Sequence, residues 1–292
     1  MWNLSEEQQL IQDSANKLLE SNYDFESRKA RIAGNDTFDA AMWQQFADLG
    51  WLGIAFDEMD GGYGGGAAEL ALLMHAFGGR LVVEPFLATV VLGGRLVAAG
   101  ASPGQRSEIV QAVMTGECQL ALGFAEPGSR YDLHRVQTQA RTSANGFILN
   151  GRKSVVMNAD AADHLVISAR TSGKVDDERG ITLFVIPKSA GGITTSGYRL
   201  NDGHRAADVT LTDVEVSAEH VVGQADGGLD LLESVIDEAT IAICAEAVGA
   251  MESVMSMTTE YLNTREQFGK AIGRNQALQF RMVEMHYALE ES

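Results

Sequence analysis

The spacing of the apolar residues changes twice along the chain, and this limits the folds that it can adopt. Over residues 5 to about 115 the apolar residues recur at helical spacing. Between residues 116 and 216 they alternate in short runs separated by glycine, aspartate and asparagine, which is typical of strands. From residue 227 the helical spacing returns without a proline to about residue 263, which favours a helical bundle.

Local signals predict the individual helices and strands. Residues 5–8 (Ser-Glu-Glu-Gln) form a capping box, and Leu10, Ile11, Leu18 and Leu19 form one apolar stripe on the helix that follows. Further helices are predicted over residues 37–49, 67–78, 87–99, 104–115 and 227–263, and from residue 275 onward. Strands are predicted over residues 119–124, 136–140, 147–149, 164–168, 181–186 and 209–216. No cap or glycine closes the last helix, so we expect the chain to stop inside its last helical domain.

Length and charge exclude several classes of protein. A chain of 292 residues with 45% apolar side chains can form one large domain or two to three packed domains. It carries 22 basic and 40 acidic side chains, a formal net charge of −18. This field repels phosphate backbones, so we expect no nucleic-acid partner. A polyanionic small ligand stays compatible with it, because a few Arg or Lys side chains can bind such a ligand locally.

The cysteines and the N-terminus indicate the compartment. Cys118 and Cys244 form neither a C-x-x-C pair nor a metal-ligand pattern, which favours a reducing compartment without structural disulfides. The polar, acidic N-terminus lacks the basic start and apolar stretch of a secretion signal. The most hydrophobic window, residues 81–99, is interrupted by two charged residues and a proline, so we predict no membrane span. We therefore expect a cytoplasmic protein.

Three common ligand motifs are out of context or absent. The glycines between residues 61 and 66 contain a G-x-G fragment, but no strand precedes them, which favours a loop over a dinucleotide site. Residues 146–154 differ from a phosphate-binding loop by one residue, yet Asn150 and Gly151 predict a hairpin turn between two strands. The six histidines have no metal-ligand spacing, and no G-x-S-x-G sequence provides a hydrolase nucleophile. We expect no metal site.

Two segments contain the strongest functional signals. Residues 122–132 (LGFAEPGSRYD) predict a strand that enters a Pro/Gly loop, which is either an ordinary β-turn or a turn whose amides face a planar cofactor. Residues 261–270 (YLNTREQFGK) follow the long helix, and Arg265 at its C-terminal end can interact with the helix dipole or with a ligand. Each segment taken alone leaves both interpretations open.

Taken in order, these motifs resemble the acyl-CoA dehydrogenase family over essentially the whole chain. The matching segments are Glu126-Pro127, N-G-x-K at residues 150–153, Asn-Ala at 158–159, Ala-Asp at 162–163, residues 203–216 with Val222-Gly223, residues 245–249, Tyr261, residues 265–269 and Gln276-Ala277. The sequence of residues 125–133 is most similar to the small-subunit branch related to pimeloyl-CoA and steroid side-chain dehydrogenases.

The resemblance implies an α+β multidomain fold and a reaction. The fold has an N-terminal α-helical domain (1–117), a middle β-barrel-like domain (118–224) and the first part of a C-terminal four-helix bundle (225–292). The assembly is a homo- or heterotetramer that holds FAD between β-domain and bundle. The reaction is α,β-dehydrogenation of an acyl-CoA thioester, in which a carboxylate removes the α-proton and the β-hydride moves to flavin N5. Electrons then pass to an electron-transfer flavoprotein.

The resemblance also implies site residues, position by position. One flank of the isoalloxazine ring is lined by Leu122, Phe124, Ala125 and Tyr131, and the other by Val155, Val156 and Met157. The FAD pyrophosphate or adenosine of another subunit is approached by Arg265, Gln267, Phe268 and Gln276, with Glu266 and Asn275 beside them. The acyl-CoA is contacted by Tyr131, Asp237, Glu238 and Thr240. Arg265 suits a pyrophosphate because its guanidinium can bond two phosphate oxygens at once.

Several positions depart from the family pattern. Ala125 replaces a threonine that bonds the flavin in many members, and Val155 and Met157 replace an aromatic residue and a threonine beside the ring. Ala239 and Thr240 replace a glutamate and an arginine that some members carry on the long helix. In those members the glutamate is the catalytic base, whereas most others place the base beyond the last residue present here.

No residue is therefore assigned as the catalytic base. Asp237 and Glu238 are adjacent to Ala239, but successive residues on a helix project about 100° apart, so we interpret both as exposed helix charges. Two hypotheses follow. The protein is an FAD-dependent acyl-CoA dehydrogenase, or it is a non-catalytic structural subunit of a heterotetramer that completes its partner's FAD site.

Overall fold

The computed structural model describes residues 4–34 and 38–292. Its helices are α1 (Glu6–Asn22), α2 (Phe25–Ala33), α3 (Ala40–Asp48), α4 (Ala67–Arg80), α5 (Arg95–Gly100), α6 (Pro103–Met114), α7 (Gly228–Thr264) and α8 (Gln276–Glu291). A π-helix (Leu87–Gly94) runs directly into α5. Every helix predicted from the sequence is present, although the expected start at Thr37 lies outside the described residues. The prediction missed α2, which buries no residue.

The capping box at the start of α1 is confirmed. The Gln8 amide donates to Ser5 Oγ at 3.2 Å, and the Ser5 amide donates to Gln8 Oε1 at 3.0 Å. The predicted apolar stripe is wrong at Leu10, which is 68% exposed, whereas Leu19 is buried. The buried face of α1 contains Ala15, and Leu10 lies about 140° around the helix from it, since five residues turn about 500°.

The middle of the chain forms one mixed sheet. Its strands are β1 (Leu120–Gly123), β2 (Gln139–Ser143), β3 (Gly146–Met157), β4 (His164–Arg170), β5 (Ile181–Pro187), β6 (Ile193–Arg199), β7 (Arg205–Ser217) and β8 (Val221–Val222). The strand order is β6-β7-β3-β2-β4-β5-β8, and β1 pairs in parallel with β4. Within the described residues the sheet ends at β6 and β8 and does not close, so the β-barrel-like middle domain is an open sheet.

The predicted hairpin turn at Asn150-Gly151 is wrong. Strand β3 continues through both residues while it pairs with β7, and the turn between β2 and β3 lies between Ser143 and Gly146. Gly151 serves a close approach instead: a Cβ atom there would lie 2.6 Å from Cα of Thr138. The N-G pair therefore indicated a backbone contact rather than a turn.

The described chain divides into two compact units. Unit 1 comprises Met1–Lys29, Ala67–Val82 and Ile241–Ser292, and unit 2 comprises Ala30–Gly66 and Val83–Thr240. In unit 1, α1 packs against α4. In unit 2, the sheet encloses a core that includes Leu149, Val156, Leu165, Phe184 and Val209. None of the described helices has the length and apolar character required to cross a membrane.

The contact at Gly151 generates a stability prediction. We expect Gly151→Ala to lower the free energy of unfolding by about 1–3 kcal/mol, because the new methyl group overlaps the Thr138 backbone. Gly104→Ala in α6 is the control, since a Cβ there meets nothing within 4 Å. We expect it to be neutral or to stabilise the protein by up to about 1 kcal/mol. Equal effects of the two substitutions in urea unfolding would contradict the close approach.

Candidate functional site

The chain leaves β1 and forms a tight turn, residues 126–132, that we call the E-P loop. The Glu126 amide donates to Ser129 Oγ at 3.0 Å, and the Ser129 amide donates to the Glu126 carbonyl at 3.0 Å. Gly128 has φ of 86° and Arg130 has φ of 52°, and the side chain of Tyr131 is 96% exposed. The loop is thus a β-turn with its aromatic side chain in solvent.

A buried ion pair joins the E-P loop to strand β3. Lys153 Nζ lies 2.7 Å from Glu126 Oε1, and the two side chains are 0% and 2% exposed. The ammonium also donates to Ser168 Oγ on β4 at 3.0 Å and to the Phe124 carbonyl at 3.4 Å. Its three N–H groups therefore have three acceptors. These hydrogen bonds replace the contacts with water that the ammonium loses on burial.

Glu126 is equally well satisfied. Its Oε2 accepts from the Gln137 amide at 2.6 Å, and its Oε1 accepts from the Thr138 amide at 3.0 Å. Burial raises the pKa of Glu126, but the Lys153 ammonium and the Thr138 bonds outweigh that effect, so the pKa lies below its usual value. For Lys153, burial dominates and lowers the pKa to about 8.

Strand β3 has a bulge directly after Lys153. Between the pairs Lys153–Val209 and Val156–Ala207, β3 contains one more residue than β7. Within the bulge, Val155 adopts φ of 53°, a left-handed conformation that costs a β-branched residue about 1–3 kcal/mol. Its amide donates to the Tyr198 hydroxyl at 3.2 Å. A side chain from β6, which is separated from β3 by β7 in the sheet, thus binds the strained residue.

The structure brings the two predicted flanks of the flavin together. The Ser154 amide donates to the Ala125 carbonyl at 2.9 Å, so Ala125 and Val155 lie on adjacent segments. The predicted ring-lining residues differ in exposure. Leu122 and Val156 are buried in the core, whereas Phe124, Ala125 and Met157 are partly exposed and Val155 and Tyr131 are exposed.

A backbone amide without a partner among the described residues lies beside this apolar surface. The amide of Ala125 makes no hydrogen bond to any other residue in the described part of the chain. An unused amide beside partly apolar side chains suits the polar edge of a planar ring. Leu122 and Val156 can contact such a ring only through their backbone, because their side chains point into the core.

The predicted acyl-CoA contacts on α7 have different environments. Both carboxylate oxygens of Glu238 bind Arg95, at 2.8 Å to Nε and 2.9 Å to Nη2, while Arg95 Nη1 donates to the Ala55 carbonyl at 2.7 Å. The Thr240 hydroxyl donates to the Ile236 carbonyl at 2.8 Å. The carboxylate of Glu238 thus already has a fork-to-fork partner.

Two neighbouring positions on α7 complete this region. Asp237 is exposed, whereas Ala239 is 4% exposed and lies in the core. The interpretation as an exposed helix charge is confirmed for Asp237 and is wrong for Glu238, which is partly buried because Arg95 binds its carboxylate. No carboxylate therefore occupies position 239, where the family resemblance implies a base in some members.

In unit 1, the segment after α7 forms a small hairpin. Strands β9 (Glu266–Gln267) and β10 (Lys270–Ala271) pair antiparallel, and the turn residues Phe268 and Gly269 have φ of 53° and 76°. Positive φ at both residues defines a type I′ turn, which glycine favours. Phe268 stands at the tip and is 101% exposed. Gln276, a further predicted ligand contact of this unit, is the first residue of α8.

The hairpin and the residues that flank it carry cationic side chains without an ion-pair partner in the described ranges. Arg265 lies at the end of α7, where its amide donates to the Tyr261 carbonyl at 2.8 Å. Neither its guanidinium nor the side chains of Lys270 and Arg274 form an ion pair with any residue that the structure describes. Three such cations within ten residues give this hairpin a local positive charge on a chain whose net charge is −18.

Sequence reasoning named Glu126 and Lys153 only as parts of motifs and missed Ser168 and Arg95 altogether. A signal for Lys153 was present in β3, because Leu149, Gly151 and Lys153 share one face of an alternating strand. A lysine on the apolar face of a strand is rarely buried without a partner. Among the described residues, no group of three or more His, Cys, Asp or Glu side chains could hold a metal ion.

The described chain consists of three successive segments, which are helical, β-sheet and helical. Family models match it in order: the acyl-CoA dehydrogenase N-terminal domain at residues 5–117, the middle domain at 121–216 and the C-terminal domain at 226–292. Together they cover nearly the whole chain. The chain therefore belongs to the acyl-CoA dehydrogenase family, whose members are oxidoreductases.

Individual relatives agree with this assignment. Mitochondrial isovaleryl-CoA dehydrogenase from Pongo abelii is 28% identical over 98% of this chain and 69% of its own length. The structure of butyryl-CoA dehydrogenase from Megasphaera elsdenii is 25% identical, with a TM-score of 0.90 over 100% of this chain and 78% of that one. A variant of the Tcur3481–Tcur3483 steroid ACAD is 26% identical, with a TM-score of 0.85 over 98% and 74%.

The bulge at Val155 generates a prediction for the protein without ligand. We expect Val155→Gly to change the free energy of unfolding by less than about 1 kcal/mol, because relief of left-handed strain offsets the greater backbone entropy of glycine. Val156→Gly is the matched control, since Val156 is 1% exposed. We expect it to cost about 3 kcal/mol. If urea unfolding gave equal losses for both variants, Val155 would not be strained.

Proposed function

We propose that this protein binds FAD and takes part in the α,β-dehydrogenation of an acyl-CoA thioester. The observation that carries the proposal is the hydrogen bond from the Ser154 amide to the Ala125 carbonyl, which places the residue directly before the E-P loop beside the β3 bulge. Both segments are those that, by resemblance to the family, flank the isoalloxazine ring. The proposed ring contacts are Leu122, Phe124, Ala125, Tyr131, Val155, Val156 and Met157.

The residues at this junction can contact a flavin through apolar side chains and a backbone amide. Phe124, Val155 and Met157 offer apolar contacts, and the Ala125 amide offers a free donor. The side chains at positions 125, 155 and 157 carry no hydroxyl, so hydrogen bonds to the ring have to come from the backbone. When bound, FAD supplies the two-electron acceptor for the hydride that leaves the β-carbon of the substrate.

The cationic hairpin suits the pyrophosphate of the same cofactor. Arg265 has a free guanidinium that can bond two phosphate oxygens, and Phe268 offers an exposed ring for stacking. Gln267 and Gln276 provide amide groups for the remaining polar atoms. As the family resemblance implies, we propose that these residues contact the FAD held by another subunit.

For the acyl-CoA we propose contacts from Tyr131, Asp237 and Thr240, which are exposed. Glu238 was predicted as a fourth contact, but its carboxylate is held by Arg95 and serves first to orient α7. The α-proton has to be taken by a base. The segment around Ala239 offers no free carboxylate in the position that some family members use, so we assign no base.

The departures from the family pattern at positions 125, 155, 157, 239 and 240 favour a second candidate function. In it, the chain is a non-catalytic subunit that completes its partner's FAD site with the Arg265 hairpin and relies on the partner for the base. One similar structure is the Tcur3481–Tcur3483 steroid ACAD, whose double name suits an enzyme built from two different chains. In either case we propose a homo- or heterotetramer and electron transfer to an electron-transfer flavoprotein.

The last two described helices expose apolar side chains. They are Met251, Val254, Met257 and Tyr261 on α7, and Phe280, Val283 and Tyr287 on α8. Apolar helix faces are covered either by further helices of a bundle or by another subunit. Phe268 and the cations of the hairpin lie in the same unit, which is consistent with a cofactor site completed by assembly.

The flavin proposal is tested with Arg265. We expect the purified protein to bind FAD, and Arg265→Gln to weaken that binding by about 1.5–3 kcal/mol through loss of a charge-assisted hydrogen bond. Arg281→Gln is the control, because Arg281 is an exposed arginine of α8 that pairs only with Glu284. Titration with FAD measures both variants. Equal affinities for the two would exclude Arg265 from the site.

The two candidate functions differ in what the protein does alone. If it is a dehydrogenase, adding a suitable acyl-CoA without oxygen bleaches the flavin absorbance of the isolated protein. If it is a non-catalytic subunit, bleaching requires co-purification with a dehydrogenase partner. Bleaching by the isolated protein would refute the second function, and a colourless protein that takes up no FAD in any assembly would refute both.

A further inference from the structure

We propose that Lys153 is the positioning residue that fixes the spacing between the two flanks of the flavin site. This inference rests on the proposed function and adds a role to a residue that touches neither cofactor nor substrate. Lys153 reaches both flanking segments at once: it binds Glu126 and the Phe124 carbonyl on one side and belongs to β3 on the other. Ser154 and Val155 follow it directly in the chain.

The geometry of the contact makes the spacing rigid. The ammonium has as many acceptors as it has N–H groups. Glu126 at 2.7 Å and the Phe124 carbonyl at 3.4 Å lie on one segment, and Ser168 at 3.0 Å lies on β4. Any shift of the E-P loop away from β3 breaks at least one of these bonds in a site closed to water. The Ser154–Ala125 bond of 2.9 Å adds a fourth link on the same side.

Stability alone is a weak reason for such a pair. A buried ion pair can often be replaced by apolar side chains of similar volume without loss of stability, because removing two charges from water is costly. An apolar pair in this position would pack, but it would not fix the direction or the register of the loop. The specific consequence of the Lys153–Glu126 pair is thus where it holds Phe124 and Ala125 relative to Val155.

The pH dependence distinguishes positioning from packing. The charged groups that face Lys153 are Glu126 and Arg170; burial lowers the pKa of the ammonium to about 8, Glu126 opposes this shift and Arg170 adds to it. Because this value lies below the 10.5 of an unfolded lysine, the contribution of Lys153 to stability rises as the pH increases from about 8 to 10.5. FAD affinity is expected to fall as the pH rises through about 8, since the folded protein then loses the Lys153 proton and with it the ion pair.

The test uses two variants and one control. Lys153→Met leaves Glu126 buried without its cation, so we expect a lower melting temperature and at least a tenfold rise in the Kd for FAD. Lys153→Met combined with Glu126→Gln removes both charges. We expect this double variant to regain most of the melting temperature while its Kd for FAD stays at least tenfold raised, without the step near pH 8.

Arg106→Gln is the control for loss of an ion pair elsewhere in unit 2. Arg106 Nε lies 2.9 Å from Asp60 Oδ1, remote in sequence from both flanks. We expect a lower melting temperature with a Kd for FAD within twofold of the wild type. Amide hydrogen exchange of residues 124–132 in the protein without FAD supplies an independent measurement, which we expect to accelerate in both Lys153 variants and not in Arg106→Gln.

Two outcomes overturn the inference, and they are distinguishable. If the double variant regains both its melting temperature and its FAD affinity, with slow exchange over residues 124–132, the pair only packs the core and Lys153 is not a positioning residue. If the wild-type protein itself binds no FAD alone or in assembly, the proposed function fails and the inference fails with it. A change in the absorbance spectrum of the bound flavin in the double variant alone would support a shifted flank.

Discussion

A buried ammonium group has to find an acceptor for each of its N–H bonds, and this requirement organises the middle of the protein. Lys153 satisfies it with Glu126, Ser168 and the Phe124 carbonyl, so β3, β4 and the end of β1 are held around one point. Glu126 in turn binds the amides that lead into β2. The E-P and N-G-x-K motifs are 27 residues apart in sequence, yet they are the two ends of a single contact.

Much of the secondary structure follows from local chemistry and could be predicted. The capping box at Ser5 and the long proline-free helix depend on residues within a few turns of one another, and both predictions are confirmed. Asn150-Gly151 failed for a physical reason: a glycine required by a neighbouring backbone has the same sequence appearance as a glycine required by a turn. Only the folded structure separates these two uses, since Thr138, the residue directly before β2, approaches Gly151.

The site was predictable in its segments and not in its contacts. Resemblance to a family indicated the E-P loop, β3 and the Arg265 hairpin, because these are continuous stretches of sequence. The pairing of Arg95 with Glu238 joins residues 143 positions apart, and no sequence pattern near either residue predicts it. That pairing also changes the chemistry of α7, because the carboxylate of Glu238, the residue before Ala239, is bound to the Arg95 guanidinium.

Backbone strain provides an argument for the site that the sequence could not. Seven described non-glycine residues have positive φ, and three of them are Asn or Asp, which tolerate this conformation. The other four are Leu81, Arg130, Val155 and Phe268. Three of these four lie in the segments proposed to contact the cofactor. Since departures from local preference concentrate where function requires them, the strain at Val155 and the exposed ring of Phe268 favour a ligand at both places.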